Sequence, residues 1–217
     1  MHYFLLIFIT ISCSHHHGDK NSANKHMHKA PHHQLINNFE DPKRDLWQKP
    51  ELVMKLLSPL KGLEVIDIGV GSGYFSNHLL DAGAKVTGAD VDEKFLEHNR
   101  KRFDEKQFPN FTTLKIDYDD PKMKNAFYDM AFTSNTYHHI ENRVEYLKKV
   151  KAGLKSSGRV VILDFKKSND KKAHFGPPQS MRLPVETVVS ELKQAGFDKV
   201  SVNVDDFADH YLVIATK

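Results

Sequence analysis

The chain has 217 residues, enough for one α/β domain with its own core, and a net charge of only +3 from 31 Lys and Arg against 28 Asp and Glu. No basic stripe and no internal repeat stands out, so a nucleic-acid partner is not expected. The lone cysteine, Cys13, excludes a disulfide framework.

The chain opens on an apolar run over residues 3–11, too short to span a bilayer and suited to a signal-peptide core. The run ends in Thr10-Ile11-Ser12-Cys13, which resembles a bacterial lipobox, with Thr10 where that motif has Leu and His2 where a basic residue is usual. The resemblance implies a leader over residues 1–13, lipid on Cys13, and a lipoprotein anchored to the membrane on the periplasmic side. Residues 14–40 are rich in His, Asn, Lys and Ser, with His15, His16, His17, His26, His28, His32 and His33 among them. Such a composition buries no core and reads as a disordered tether. The histidines have no fixed ligand spacing, so no metal is expected. The domain proper is then residues 41–217.

Arg44, Trp47 and Gln48 precede Pro50, which is suited to the first turn of a helix running to Leu57. Next comes Glu64-Val65-Ile66-Asp67-Ile68-Gly69-Val70-Gly71-Ser72-Gly73-Tyr74-Phe75: a buried strand, an acid, three alternate glycines and a helix start. Glycines at this turn let the backbone fold tightly and approach a ligand. A dinucleotide fingerprint would have its next glycine where Tyr74 stands, which disfavours NAD and an NAD-dependent oxidoreductase. A helix over residues 74–82 stops at Gly83, and Val86-Thr87-Gly88-Ala89-Asp90-Val91-Asp92 reads as a second strand ending in an acid. Asp90 suits two ribose hydroxyls, and Asp92 suits the N-cap of the next helix.

A third strand runs from Phe111 towards Ile116-Asp117-Tyr118, and a fourth over residues 128–135 leads into Asn135-Thr136-Tyr137-His138-His139-Ile140. A helix over residues 144–154, a fifth strand over 159–165, a helix after Pro184 and a terminal strand pair complete the pattern. The segment between Phe165 and Arg182 contains Gly176-Pro177-Pro178 and is too long for a routine connection. It reads as a lid over the strand ends or a free surface loop.

Four motifs in this order resemble the class I methyltransferases that use S-adenosylmethionine, over roughly residues 42–217. The resemblance implies a Rossmann-like α/β fold with a seven-stranded, mostly parallel sheet of order 3-2-1-4-5-7-6, one antiparallel strand and helices on both faces. It implies that Asp67, Gly69, Gly71 and Gly73 serve the methionyl part of S-adenosyl-L-methionine. Asp90 would hold the ribose, Asp117 the adenine amino group, Val91 or Tyr118 the ring, and Asn135 the cofactor through its backbone carbonyl. The candidates for acceptor chemistry are Tyr137, His138 and His139, since a histidine near neutral pKa suits an acceptor that must lose a proton. One of the two histidines is expected to act as base and the other to fix the loop. With no Cys in the domain and no Asn-Pro-Pro-Tyr in the fourth motif, the expected acceptor is a small organic molecule, and a monomer is expected. The alternatives are an exported nucleoside- or adenosylmethionine-binding protein without catalysis and, less favoured, the NAD enzyme. A cytosolic cofactor conflicts with an exported leader, so cytoplasmic localisation stands as the alternative.

Overall fold

The computed structural model describes residues 31–168 and 176–217. Cys13, the leader and the lipid expected there, and most of the His-rich stretch lie outside the described residues. Fifteen elements follow in chain order. Helices α1 (His32–Phe39), α2 (Arg44–Gln48) and α3 (Pro50–Leu57) precede strand β1 (Glu64–Ile68). Helix α4 (Tyr74–Asp81), β2 (Lys85–Asp90), α5 (Glu93–Glu105), β3 (Phe111–Lys115) and β4 (Tyr128–Ser134) come next. A 3-10 turn (Tyr137–His139), α6 (Arg143–Gly153), β5 (Leu154–Phe165), α7 (Val185–Gln194), β6 (Val200–Asn203) and β7 (His210–Thr216) finish the chain.

The seven strands lie in the order β3-β2-β1-β4-β5-β7-β6. The first five are parallel, and β7 runs antiparallel to both β5 and β6. This is the expected Rossmann-like sheet. Strand β1 shows how the two layers arise, because alternate side chains leave opposite faces. Ile66 and Ile68 pack with Tyr146, Leu147 and Val150 of α6 and with Val188 and Leu192 of α7. Val65 joins Val53 and Leu57 of α3, Leu79 of α4 and Phe103 of α5 on the other face. Both layers are buried, so the register of β1 is fixed by burial on each side.

Helix α1 corrects one expectation. Residues 32–39 form a helix inside the stretch expected to be disordered. Its apolar Leu35, Ile36 and Phe39 share one face. The helix is tied down by a hydrogen bond between His32 Nε2 and Asp92 at 2.6 Å, and Phe39 packs on Phe95. Just past its end, Glu40 accepts from Ser72 Oγ at 2.6 Å and pairs with Arg102 at 2.7 Å. Composition missed this because the anchoring charges and rings come from other parts of the chain.

Candidate active site

The turn after β1 is built on three glycines with positive φ, at Gly69, Gly71 and Gly73. The backbone N–H groups of Gly69 and Val70 both donate to the carbonyl of Ala89, at 2.8 and 3.0 Å, which seats the turn against the end of β2. At Gly69 (φ +77°) a Cβ would fall inside the Thr136 side chain. At Gly73 (φ +85°) it would meet Asn99 and the Phe103 ring. Helix α5 buttresses the turn from behind: Asn99 Nδ2 donates to the carbonyl of Gly71 at 2.7 Å, and Arg102 to that of Ser72 at 2.8 Å. Asp67 and Gly73 therefore belong to the supporting side, not to the cavity wall. Asp67 accepts from Ser76 Oγ at 2.7 Å, and burial pushes its carboxyl up to about 7.

Asp90 ends β2 one residue beyond the pairing of Ile68 with Ala89. One carboxylate oxygen accepts from the N–H of Gly71 at 3.0 Å, the other from that of Asp92 at 2.9 Å. Burial raises this carboxyl above the ordinary range, with those two backbone donors opposing the shift. Asp92 caps α5 by accepting from Lys94 N at 2.9 Å, as expected.

In front of these groups lies a cavity of about 560 Å³. Gly69, Gly71, Asp90, Val91, Asp117, Tyr118, Asn135, His138 and His139 all line it. Phe95, Ile116 and Ile140 make its strand-end slot apolar. Strand β3 stops at Lys115, earlier than expected, so Asp117 sits in a turn with Asp120 and pairs with Lys122 at 2.8 Å. The near wall comes from Leu35, Asn38 and Phe39 of α1 and from Arg44 and Trp47 of α2. Arg44 lies 4.1 Å over the Tyr74 ring and donates to the carbonyl of Phe39 at 2.6 Å; burial draws its pKa down to about 10. Tyr74 is thus a platform for a buried cation, where a dinucleotide fold would have glycine. Gly176, Pro177, Pro178 and Met181 close the far side. Arg182 holds that wall by donating to the carbonyls of Pro177 and Lys166, at 2.9 and 3.2 Å. The described part of this segment, from Gly176 on, is thus a wall of the cavity.

The edge after β4 separates the three candidate side chains. Tyr137 does not face the cavity: its ring is core, 1% exposed, and its hydroxyl donates to Glu191 at 2.7 Å. Burial and that carboxylate raise its pKa, so Tyr137 is corrected from a catalytic candidate to a structural tie between the turn and α7. His138 is held by Asp164 of β5, with Nδ1 at 2.8 and 3.0 Å from the two carboxylate oxygens. His139 stacks near it at 4.2 Å, and its Nδ1 is buried without a hydrogen-bond partner. Burial, then the neighbouring His138, pushes His139 down to about 4. Asn135 adopts φ +54°, and its Oδ1 accepts from His210 Nε2 at 3.0 Å. Asp164 and helix α1 are the site components that the sequence reading missed. The signal for Asp164 was a single acid closing the apolar run of β5.

His210 supplies a pH test of this wall. It is fully buried, stacks on Trp47 at 5.2 Å, and burial pushes its pKa down to about 3. The unfolded chain binds the proton first, so this contribution is present above about 6.5 and is lost as pH falls towards 3. Between pH 7 and pH 4.5, urea denaturation should show the wild type losing roughly 2 kcal/mol more stability than His210→Gln. Equal losses would mean that His210 is not held neutral.

Residues 66–160 match the protein family described as "Methyltransferase domain". A crystal structure of a SAM-dependent methyltransferase from Aquifex aeolicus superposes with a TM-score of 0.76 at 25% identity, covering 87% of this chain and 99% of that one. A Haemonchus contortus phosphoethanolamine N-methyltransferase 2 in complex with S-adenosyl-L-methionine shares the fold, with a TM-score of 0.66 at 17% identity over 79% of this chain and 52% of that one. Residues 66–160 thus match a methyltransferase domain, built on the fold that these S-adenosylmethionine-dependent enzymes share. Among curated relatives, the tRNA U34 carboxymethyltransferase of Haemophilus influenzae strain PittEE is 32% identical over 118 residues, 52% of this chain and 36% of its own length. That of Idiomarina loihiensis is 29% identical over 170 residues, 72% of this chain and 51% of its own. The chain thus spans between about a third and a half of the curated relatives it matches. These relatives overturn the expectation that nucleic acid plays no part. Overall charge was a poor guide, because a local surface recognises a polyanion whatever the balance of the whole chain.

Proposed function

We propose that this chain moves the methyl group of S-adenosylmethionine onto a nucleoside of a tRNA. The observation that carries the cofactor half is Asp90, a buried carboxylate beside the glycine turn at the carboxyl end of β2. Each of its oxygens accepts from a backbone N–H and keeps acceptor capacity for a further donor, as two ribose hydroxyls require. The rest of the cavity fits the same molecule: an apolar slot beside Val91 and Ile116 for a flat ring, Asp117 at its rim for an amino group, and Arg44 on the methionyl side. When bound, the cofactor supplies a methyl group already activated on sulfonium, so the protein's main contribution is alignment. Trp47, His138, His139 and the Gly176-Pro177-Pro178 wall surround the remaining space and would exclude water from the acceptor. The tRNA half is supported by the curated relatives, which are tRNA U34 carboxymethyltransferases.

The test is calorimetry with S-adenosylmethionine and S-adenosylhomocysteine, followed by tritiated methyl transfer to total tRNA with nuclease digestion. Asp90→Ala should weaken cofactor binding by about 2 kcal/mol or more, since hydrogen bonds to a charged group contribute ~1.5–3 each. No binding by the wild type removes the cofactor half. Label that enters a nuclease-resistant fraction, and not tRNA, removes the acceptor half. This reading goes with the cytoplasmic alternative, where cofactor and tRNA meet. The mass of the mature N-terminus decides between that and lipid on Cys13.

A further inference from the structure

Asp164 is 1% exposed and surrounded by donors. Its oxygens accept from the backbone N–H of His138 at 3.1 Å and of Phe165 at 2.7 Å, besides His138 Nδ1. A carboxylate only accepts, so the proton in the His138–Asp164 contact sits on Nδ1. The lone pair of His138 is then on Nε2, which has no partner among the described residues, and His138 lines the cavity beside Asn135 and Thr136. A carboxylate that fixes the tautomer of an imidazole in this way makes the free nitrogen a proton acceptor. The neighbouring imidazoles do not compete for the carboxylate: His139 has no bond to it, and His210 is turned to Asn135.

We infer that His138 is the base for the transfer to an acceptor that must lose a proton, and that Asp164 is its positioning residue. The inference rests on the methyltransferase reading and deepens it. A neutral amine attacks with its own lone pair and sheds its proton afterwards, whereas a hydroxyl is a weak nucleophile until its proton leaves. Here Nε2 takes the acceptor's proton as the acceptor's lone pair forms the new bond to the methyl carbon, and the carbon–sulfur pair stays on sulfur. His138 leaves the step as imidazolium, balanced by Asp164, and returns its proton to solvent.

Two measurements on the full chain test this without turnover. The first is the nitrogen-15 signature of the His138 ring in the wild type, where Nδ1 should carry the proton and Nε2 the lone pair. The second is carbethoxylation by diethyl pyrocarbonate, mapped by peptide mass. Asp164→Asn should slow the reaction of His138 by ~10-fold or more through loss of the tautomer. Should Asp164→Asn fail to fold, Asp164→Ser is used in the same assay, and the wild-type signature stands alone in any case. S-adenosylhomocysteine affinity, measured alongside, should be unchanged in the folded variant. A proton on Nε2, or equal carbethoxylation of His138 in the wild type and Asp164→Asn, overturns the assignment. Absence of S-adenosylhomocysteine binding by the wild type instead removes the enzyme reading beneath it.

Discussion

The proposed methyl transfer to tRNA is expected to fall by about 10²–10⁴-fold in His138→Ala, the usual contribution of a positioned base. Cofactor affinity should stay close to that of the wild type, because the groups assigned to the cofactor, at the ends of β1, β2 and β3 and at Arg44 and Asn135, do not include the His138 ring. The substitution also strips Asp164 of its ring partner, which should cost about 1–3 kcal/mol of stability for a buried acceptor left unmatched. Assays therefore belong at a temperature where the variant is fully folded. His139→Ala is the control: the Nδ1 of His139 has no partner, so its removal orphans nothing. It should keep transfer within a few-fold of wild type. If His139→Ala is the variant that loses transfer and His138→Ala retains it, the two roles are exchanged.

The sequence was most informative where the fold is made by local patterns. The apolar run into Asp67, the glycines after it and the strand-end Asp90 are dictated within a few residues of chain, and their order revealed the sheet. Asp92 as an N-cap was readable for the same reason. What the chain hides is pairing across distance. Asp164 and His138 are 26 positions apart, and only the parallel pairing of β4 with β5 brings their strand ends together. Tyr137 looked equivalent to its histidine neighbours, but a 3-10 turn sends consecutive side chains to different sides. One lands on Glu191 in the core, and the next on Asp164 beside the cavity. Helix α1 was masked by its composition: histidines that resemble a solvated tether are in part anchored, His32 by Asp92. The acceptor was the least legible of all.

Gly69→Ala should disable the cofactor site more completely than any change to a contact residue. The backbone there has φ +77°, a left-handed conformation that costs an L side chain about 1–2 kcal/mol. The new methyl would also overlap the Thr136 side chain, and such overpacking typically costs a further ~1–3 kcal/mol. Relief by moving the turn would break the bonds from Gly69 and Val70 to the carbonyl of Ala89, which set its distance from Asp90. The expected result is a loss of roughly 2–5 kcal/mol in urea denaturation, with S-adenosylhomocysteine binding lost or weakened well beyond the effect of Asp90→Ala. A second substitution separates the two causes. Thr136→Gly removes the atoms that collide, so Gly69→Ala combined with Thr136→Gly should recover the packing part and retain the backbone part. Full recovery in the double variant would mean that φ at residue 69 carries no cost. No recovery would mean that Thr136 is not what the glycine makes room for.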